Sequence, residues 1–300
     1  AWSIATYQFY DYSQAMSLLL IAVGNSHVKI LAVDWPQKMG VQLPMRPPLL
    51  LPTASLPPVA SLDHKAVQSA IGNIANIEKI IAVSVVPAAN SWLENYAHQQ
   101  QWPLTFFTST NYPFANVTDQ PERVGSDRLV AVLGATWLGY KPPLIIIDGG
   151  TAITANFIDK DFAFLGGLIL PSRDLMQRAL HQHTAQLPAL KTQQQPRLDQ
   201  PLIGSDLIGK NTTDAMVKAA QLAEQQFISG VINNYADSTC TIILTGGITS
   251  AITTPSIIIG GKEVRVEPLL PFYGLLYAQQ EELNGPNPYP NPYPNPYPNS

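Results

Sequence analysis

Leu144-Ile145-Ile146-Ile147-Asp148-Gly149-Gly150-Thr151 is the stretch on which the reading of this chain turns. Four aliphatic residues in succession read as a strand buried on both faces. A carboxylate at the end of such a strand is costly to bury ionised unless a cation or several donors lie close, so Asp148 implies charge nearby. Gly149 and Gly150 remove the side chains that would hold a ligand off the backbone. Their N–H groups can therefore turn toward phosphate oxygens, and Thr151 adds a hydroxyl. An ordinary strand-to-turn corner has the same build, and the octapeptide alone does not separate the two.

Two further corners repeat the pattern. Leu18-Leu19-Leu20-Ile21-Ala22-Val23 opens into Gly24-Asn25-Ser26, and Thr241-Ile242-Ile243-Leu244 opens into Thr245-Gly246-Gly247. Three buried strands that each end in a small-residue turn are what a two-lobed nucleotide cleft requires, with one loop from each lobe at the phosphates and a third near the nucleoside.

The chain has 300 residues, enough for one large α/β domain or two lobes of ordinary size. It is 46% hydrophobic and 13% charged, which places it in the globular class. The net charge is −4 with Lys and Arg scattered, so there is no electrostatic footprint of a nucleic-acid binder. A single cysteine, Cys240, excludes an internal disulfide framework and fits a reducing compartment. Leu18 to Val23 is too short to span a bilayer and lacks the basic flank of a signal peptide, so a cytoplasmic location with no membrane partner is expected.

Along the chain, residues 1–15 show no period and are expected to be a disordered extension, with Met16 a candidate start. The six prolines between Val41 and Ala60 predict a loop or linker. A short helix is expected over Leu62 to Ile71, then a strand over Ile80 to Val86, a helix around Ser91 to Gln101 and a strand over Leu104 to Thr108. Leu129, Val132, Leu133 and Trp137 recur at helical spacing from Ser126 onward. A hairpin through Ile158 to Phe164 and a strand over Gly167 to Leu170 imply a mixed sheet. Thr184 to Asp206 reads as loop, Asn211 to Tyr235 as a long helix and residues 269–283 as a final helix. The Pro-Asn-Pro-Tyr repeats over 284–300 form a low-complexity tail. His181 and His183 lie two apart, a spacing that points them to different faces of a helix rather than at one metal.

Glu122-Arg123-Val124-Gly125-Ser126-Asp127-Arg128 sets an acid beside a guanidinium at an expected helix start. Asp127 there can accept a hydrogen bond from a hydroxyl, while free amides and Arg128 can receive an acidic ligand. An N-capping segment with a surface Asp and Arg is the bland alternative.

With these blocks in place, the chain over about residues 17–283 resembles the type III pantothenate kinases, members of the superfamily of actin, sugar kinases and Hsp70. The resemblance rests on Gly24-Asn25-Ser26, Val83-Ser84-Val85-Val86-Pro87, Gly125-Ser126-Asp127-Arg128, Asp148-Gly149-Gly150-Thr151, Gly166-Gly167-Leu168-Ile169-Leu170-Pro171, Thr184-Ala185-Gln186-Leu187-Pro188 and Thr245-Gly246-Gly247, in the family's order. It implies an α/β fold of two ribonuclease H-like lobes with mixed sheets flanked by helices, residues 16–124 and 125–283, and a nucleotide cleft between them. It also implies ATP-dependent phosphorylation of pantothenate to 4′-phosphopantothenate, the first step toward coenzyme A. By the same resemblance Asp127 is the general base, and Gly125, Ser126, Asp127 and Arg128 line the pantothenate site. Thr184 reaches pantothenate from the second protomer of a homodimer. Ala22, Val23, Gly24, Asn25, Ser26, His27, Val28 and Lys29 form the first ATP loop, and Thr151 contacts ATP. Asp148 holds a monovalent cation, K⁺ or NH₄⁺, and Mg²⁺ accompanies ATP. Two departures stand out. Ala22 occupies a position where the family commonly has Asp, and the usual upstream tyrosine aligns with Thr118, with Tyr112 a possible substitute. A non-catalytic regulatory relative and another small-molecule kinase of the superfamily, for sugars or acetate, are the alternative readings.

Overall fold

The computed structural model describes residues 16–35, 43, 48–53, 77–190 and 204–284. The first sheet is built on β1 (Met16–Val23), whose apolar run feeds both faces: Leu18 and Leu20 enter one core, Leu19, Ile21 and Val23 another. β1 turns back through residues 24–26 into antiparallel β2 (His27–Trp35), which pairs with β3 (Leu49–Pro52). On its other side β1 runs parallel to β4 (Ile77–Ser84), and β4 to β5 (Leu104–Phe107), giving the order β3-β2-β1-β4-β5. The helix α1 (Pro87–Gln100) buries Trp92, Leu93 and Tyr96 on the outer face of this sheet.

The second sheet repeats that plan. β6 (Leu144–Gly149) turns into antiparallel β7 (Ala152–Ile158) and β8 (Phe164–Pro171), while β9 (Thr241–Gly246) and β11 (Lys262–Val266) follow in parallel on the other side. With β10 (Ser256–Ile259) added at the edge, the order is β10-β11-β9-β6-β7-β8. Set β6 against β1, β7 against β2, β8 against β3, β9 against β4 and β11 against β5, and the two sheets have the same order and strand directions.

Between the sheets lie α2 (Ser126–Trp137) and α5 (Leu270–Asn284). From Leu129 on, every residue of α2 but Thr136 is buried, as befits a stretch of helix apolar all round. It packs on β4, β6 and β7, and α5 packs on β1 and β4, so one continuous core spans both sheets. The two helices meet backbone to backbone. A Cβ on Gly134 would lie 2.0 Å from the carbonyl oxygen of Leu270, and one on Gly274 would lie 1.9 Å from that of Val130. The helix α4 (Thr212–Tyr235) covers the outer face of the second sheet with Ile228, Val231 and Ile232. The helix α3 (Arg173–His183) lies on the surface, with Arg173 its one buried residue.

The expected elements stand within a few residues of their sequence boundaries, with three differences. The Pro-rich segment Val41 to Ala60 contains the strand β3, tolerated because it ends in Pro52 at a sheet edge where no further strand needs its missing N–H. α3 and the β10–β11 hairpin have no counterpart among the expectations. The extension 1–15, the helix over Leu62 to Ile71 and residues 285–300 lie outside the described residues. Among the described residues no helix is long and apolar enough to cross a membrane.

The glycine crossing yields a prediction. Ala has the better helix propensity by about 1 kcal/mol, yet at Gly134 or Gly274 its methyl meets an immovable carbonyl. Gly134→Ala and Gly274→Ala are each expected to lower unfolding free energy by about 1–3 kcal/mol, read from urea denaturation midpoints. A gain in stability from either would show that the helices have room to part.

Candidate active site

The turns that follow β1 and β6 are brought together at the cleft. Ser26 Oγ and Thr151 Oγ1 lie 2.5 Å apart, one hydroxyl from each sheet's first hairpin. Thr53 Oγ1 donates to the Gly24 carbonyl at 2.6 Å, and Gly24 N–H to that of His27, which fixes the first turn. Within the expected ATP loop the positions divide by strand geometry. Val23 and Val28 point into the core behind the sheet, so they can offer a ligand backbone only. Gly24 and Ser26 are half-buried, while Asn25 and His27 are exposed. Ala22 and Lys29 are cross-strand partners, and both lie half-buried on the face toward the second sheet.

Asp148 stands on the corresponding floor of the second sheet. Burial pushes its carboxyl up from the usual carboxylate range; Lys29 acts in the opposite sense, and Asp127 adds to the rise. Those couplings put Lys29, Asp127 and Asp148 in one electrostatic neighbourhood. Thr245 is Asp148's register partner on β9, fully buried, and its hydroxyl finds no hydrogen-bond partner among the described residues. The third glycine corner presses against this floor. Gly246 has φ +83, and a Cβ there would sit 2.1 Å from Asp148 Oδ1, so only glycine serves. Gly149 in turn has no room for a Cβ beside Ile248.

Asp127 occupies the first turn of α2, where Oδ1 accepts from the Arg128 backbone amide at 2.9 Å. Desolvation raises its pKa, opposed by that amide and by the Arg128 charge. Gly125 precedes it because a Cβ there would lie 2.5 Å from Oδ1. Ser126 begins the helix, half-buried. Arg128 extends across to the second sheet: Nε donates to Asn156 Oδ1 at 2.6 Å, and the guanidinium lies 5.2 Å from the centre of the Phe164 ring. Its Nη2 is buried over Gly167 and unpartnered among the described residues. Burial lowers the pKa of Arg128, with Asp127 acting to raise it.

Thr118 lies near this group, its methyl 3.6 Å from where a Cβ on Gly166 would be, with its hydroxyl donating to Asn116 Oδ1 at 2.8 Å. Tyr112 is engaged elsewhere, its hydroxyl donating to the Phe162 carbonyl at 3.4 Å and its ring edge-on to Phe114. Thr184 sits exposed at the end of α3, donating to the Leu180 carbonyl at 2.6 Å, and within one chain nothing brings it to Asp127. His181 and His183 are exposed on the same helix. Asn156 and Thr245 are the residues that reading the sequence left out of the site. A lone Asn inside the apolar strand Ile153–Ile158 was the available signal for the first.

Two sheets of matching topology, with a glycine-rich turn from each at a shared cleft and a carboxylate at a helix start, define the class of two-lobed nucleotide-dependent phosphotransferase folds. The sequence matches the profile of the type III pantothenate kinase family over residues 18–234, and the chain belongs to that family. It is 31% identical over 255 residues to the type III pantothenate kinase of Chlorobaculum tepidum, covering 80% of this chain and 86% of the relative. With the corresponding kinase of Hyphomonas neptunium it is 33% identical over 184 residues, 59% of this chain and 68% of the relative. A solved structure of a conserved Baf family protein from Campylobacter jejuni shares the fold, with TM-score 0.52 and 18% identity over 89% of this chain and 99% of the other.

The raised carboxyls fix a pH dependence. Asp127 and Asp148 bind their protons more tightly folded than unfolded, so their contribution to stability is present below the ordinary value of 3.8 and is lost as pH rises through the folded pKa values. Asp148→Asn removes the charge without the shape. In ligand-free protein it is expected to melt above the parent at pH 7, with the gap closing as pH falls toward 4. A lower melting temperature at pH 7 would show that Lys29 outweighs desolvation.

Proposed function

We propose that residues 16–124 and 125–283 act as the two lobes of an ATP-dependent pantothenate kinase, with Asp127 as the base. The observation that carries the reading is the meeting of the two hairpin turns at Ser26 and Thr151, with Asp127 and Asp148 coupled in the same cleft. Asp127 Oδ1 is held by a backbone amide, which leaves Oδ2 for the primary hydroxyl of pantothenate. As that proton passes to Asp127, the alcohol oxygen bonds the γ-phosphorus and the bond to the departing ADP oxygen breaks. A carboxylate whose pKa is raised by burial suits this role at neutral pH. The backbone around Gly24 to Ser26 and Gly149 to Thr151 holds the phosphates, and Lys29 adds a positive charge.

Potassium or ammonium is assigned to Asp148. The orphaned Thr245 hydroxyl beside it supports an occupant that takes oxygen donors, and when bound the cation supplies positive charge beside the phosphates. Mg²⁺ arrives with ATP, and Ala22 offers it no carboxylate from the end of β1. Purified protein supplied with ATP, Mg²⁺ and K⁺ is expected to release ADP with pantothenate and not with sugars or acetate. Absence of turnover with every acceptor would favour the regulatory reading, for which Ala22 is the supporting residue. Asp127→Asn is expected to lower kcat by about 10²–10⁴-fold with the fold intact by circular dichroism. Near-normal turnover would remove Asp127 from the role.

The homodimer has its support at the β8 edge. Leu165, Leu168 and Ile169 on β8, and Leu180 on α3, are exposed, and Thr184 lies at the end of the same helix. A partner packed there would bring in Thr184 and cover these side chains. Leu168→Glu with Ile169→Glu is expected to yield a monomer by light scattering and to weaken pantothenate binding. A dimer that survives both changes would place the interface elsewhere.

A further inference from the structure

Asn156 has no part in the roles assigned so far, yet it is a polar side chain with no exposed surface in the middle of β7. Its amide is fully used. Nδ2 donates to the Ile146 carbonyl at 3.3 Å and to Thr154 Oγ1 at 3.2 Å, and this fixes which way the side chain faces. Oδ1 is then turned toward α2, where it takes Nε of Arg128 at 2.6 Å. Phe164 bounds one face of the guanidinium, and Gly167, which has no room for a Cβ against Nη2 and the Ala155 carbonyl, bounds another. The side chain of Arg128 is thus seated at one nitrogen by a neutral acceptor. The charge that acts on it is the Asp127 carboxylate of its own helix, and among the described residues the buried Nη2 lacks an acceptor. A guanidinium clamped at Nε presents its remaining donors in a fixed fork, the geometry that grips a carboxylate.

We propose that Asn156 is a positioning residue for acceptor recognition: by holding Nε it aims the guanidinium of Arg128 at the anionic end of the substrate. The inference rests on the kinase reading and deepens it. It makes the acceptor's carboxylate, and not only its hydroxyl, a requirement built into β7.

The test compares pantothenate with pantothenol, the same molecule with its carboxylate replaced by a neutral alcohol, in the full-length protein and two variants. Asn156→Leu keeps the branched shape and loses both functions of the amide. It is expected to raise KM for pantothenate by about tenfold or more, with kcat and KM for ATP little changed, and to erase the preference for pantothenate over pantothenol. Asn156→Asp keeps the acceptor for Nε and loses the donors to Ile146 and Thr154. It is expected to recover most of the affinity for pantothenate even at a lower melting temperature. A purely structural role predicts the reverse, since Asp would then be no better than Leu and the pantothenate-to-pantothenol ratio would stay at the parental value. Either of those results overturns the proposal while leaving the kinase reading intact. A parent protein that neither turns over nor binds pantothenate by calorimetry would overturn both.

Discussion

The close approach of α2 and α5 is the constraint on which the rest of the molecule depends. At Gly134 and Gly274 each helix touches the other's backbone carbonyl, and this lets one apolar core run from the first sheet through both helices into the second. The crossing also has a chemical consequence. Asp127 and Arg128 sit in the first turn of α2, two turns from Gly134, so the depth at which that helix is seated sets where their side chains stand relative to Asp148 and Asn156. An extra methyl at the crossing would move the Asp127 carboxylate as well as cost packing energy.

The site is held in a state that folding alone does not favour. Asp148 and Asp127 are kept in surroundings that oppose their ionisation, the Arg128 guanidinium is partly desolvated, and the Thr245 hydroxyl is buried without a partner among the described residues. On the reading proposed above, each has a counterpart in what the reaction would bring: a cation, a proton, a carboxylate, an oxygen-coordinated ion. Perturbed groups clustered in a cleft are what functional sites accumulate, because a protein without such strain would have little left to offer a ligand.

Much of this was legible in the residues. The runs Leu18 to Val23, Leu144 to Ile147 and Thr241 to Leu244 announce central strands, and the glycines after them mark the cleft, because buried strands and close backbone approach leave strong compositional traces. The surface helix α3 had its signal in the capping Ser172 and in Leu175, Met176, Ala179 and Leu180 at helical spacing, a stripe that the single chain leaves unburied. The hairpin of β10 and β11 had its signal in Gly260-Gly261, both at positive φ, between two short alternating runs. Asn156 was hidden for a different reason. Its importance lies in a partner 28 residues earlier on another element, and no local pattern encodes that distance. The shared plan of the two halves was legible through the repeated glycine corners and the family resemblance, while the strand-by-strand match of the two sheets emerges only from the pairing.

That duplicated order gives the cleft a polarity. Ala22 and Asp148 occupy equivalent places, each one residue short of the last pair in the first hairpin of its sheet, and their cross-strand partners are Lys29 and Thr154. One hairpin plan used twice therefore carries an ammonium on one copy and a carboxylate on the other, so the frame is symmetric while the field across the cleft is not.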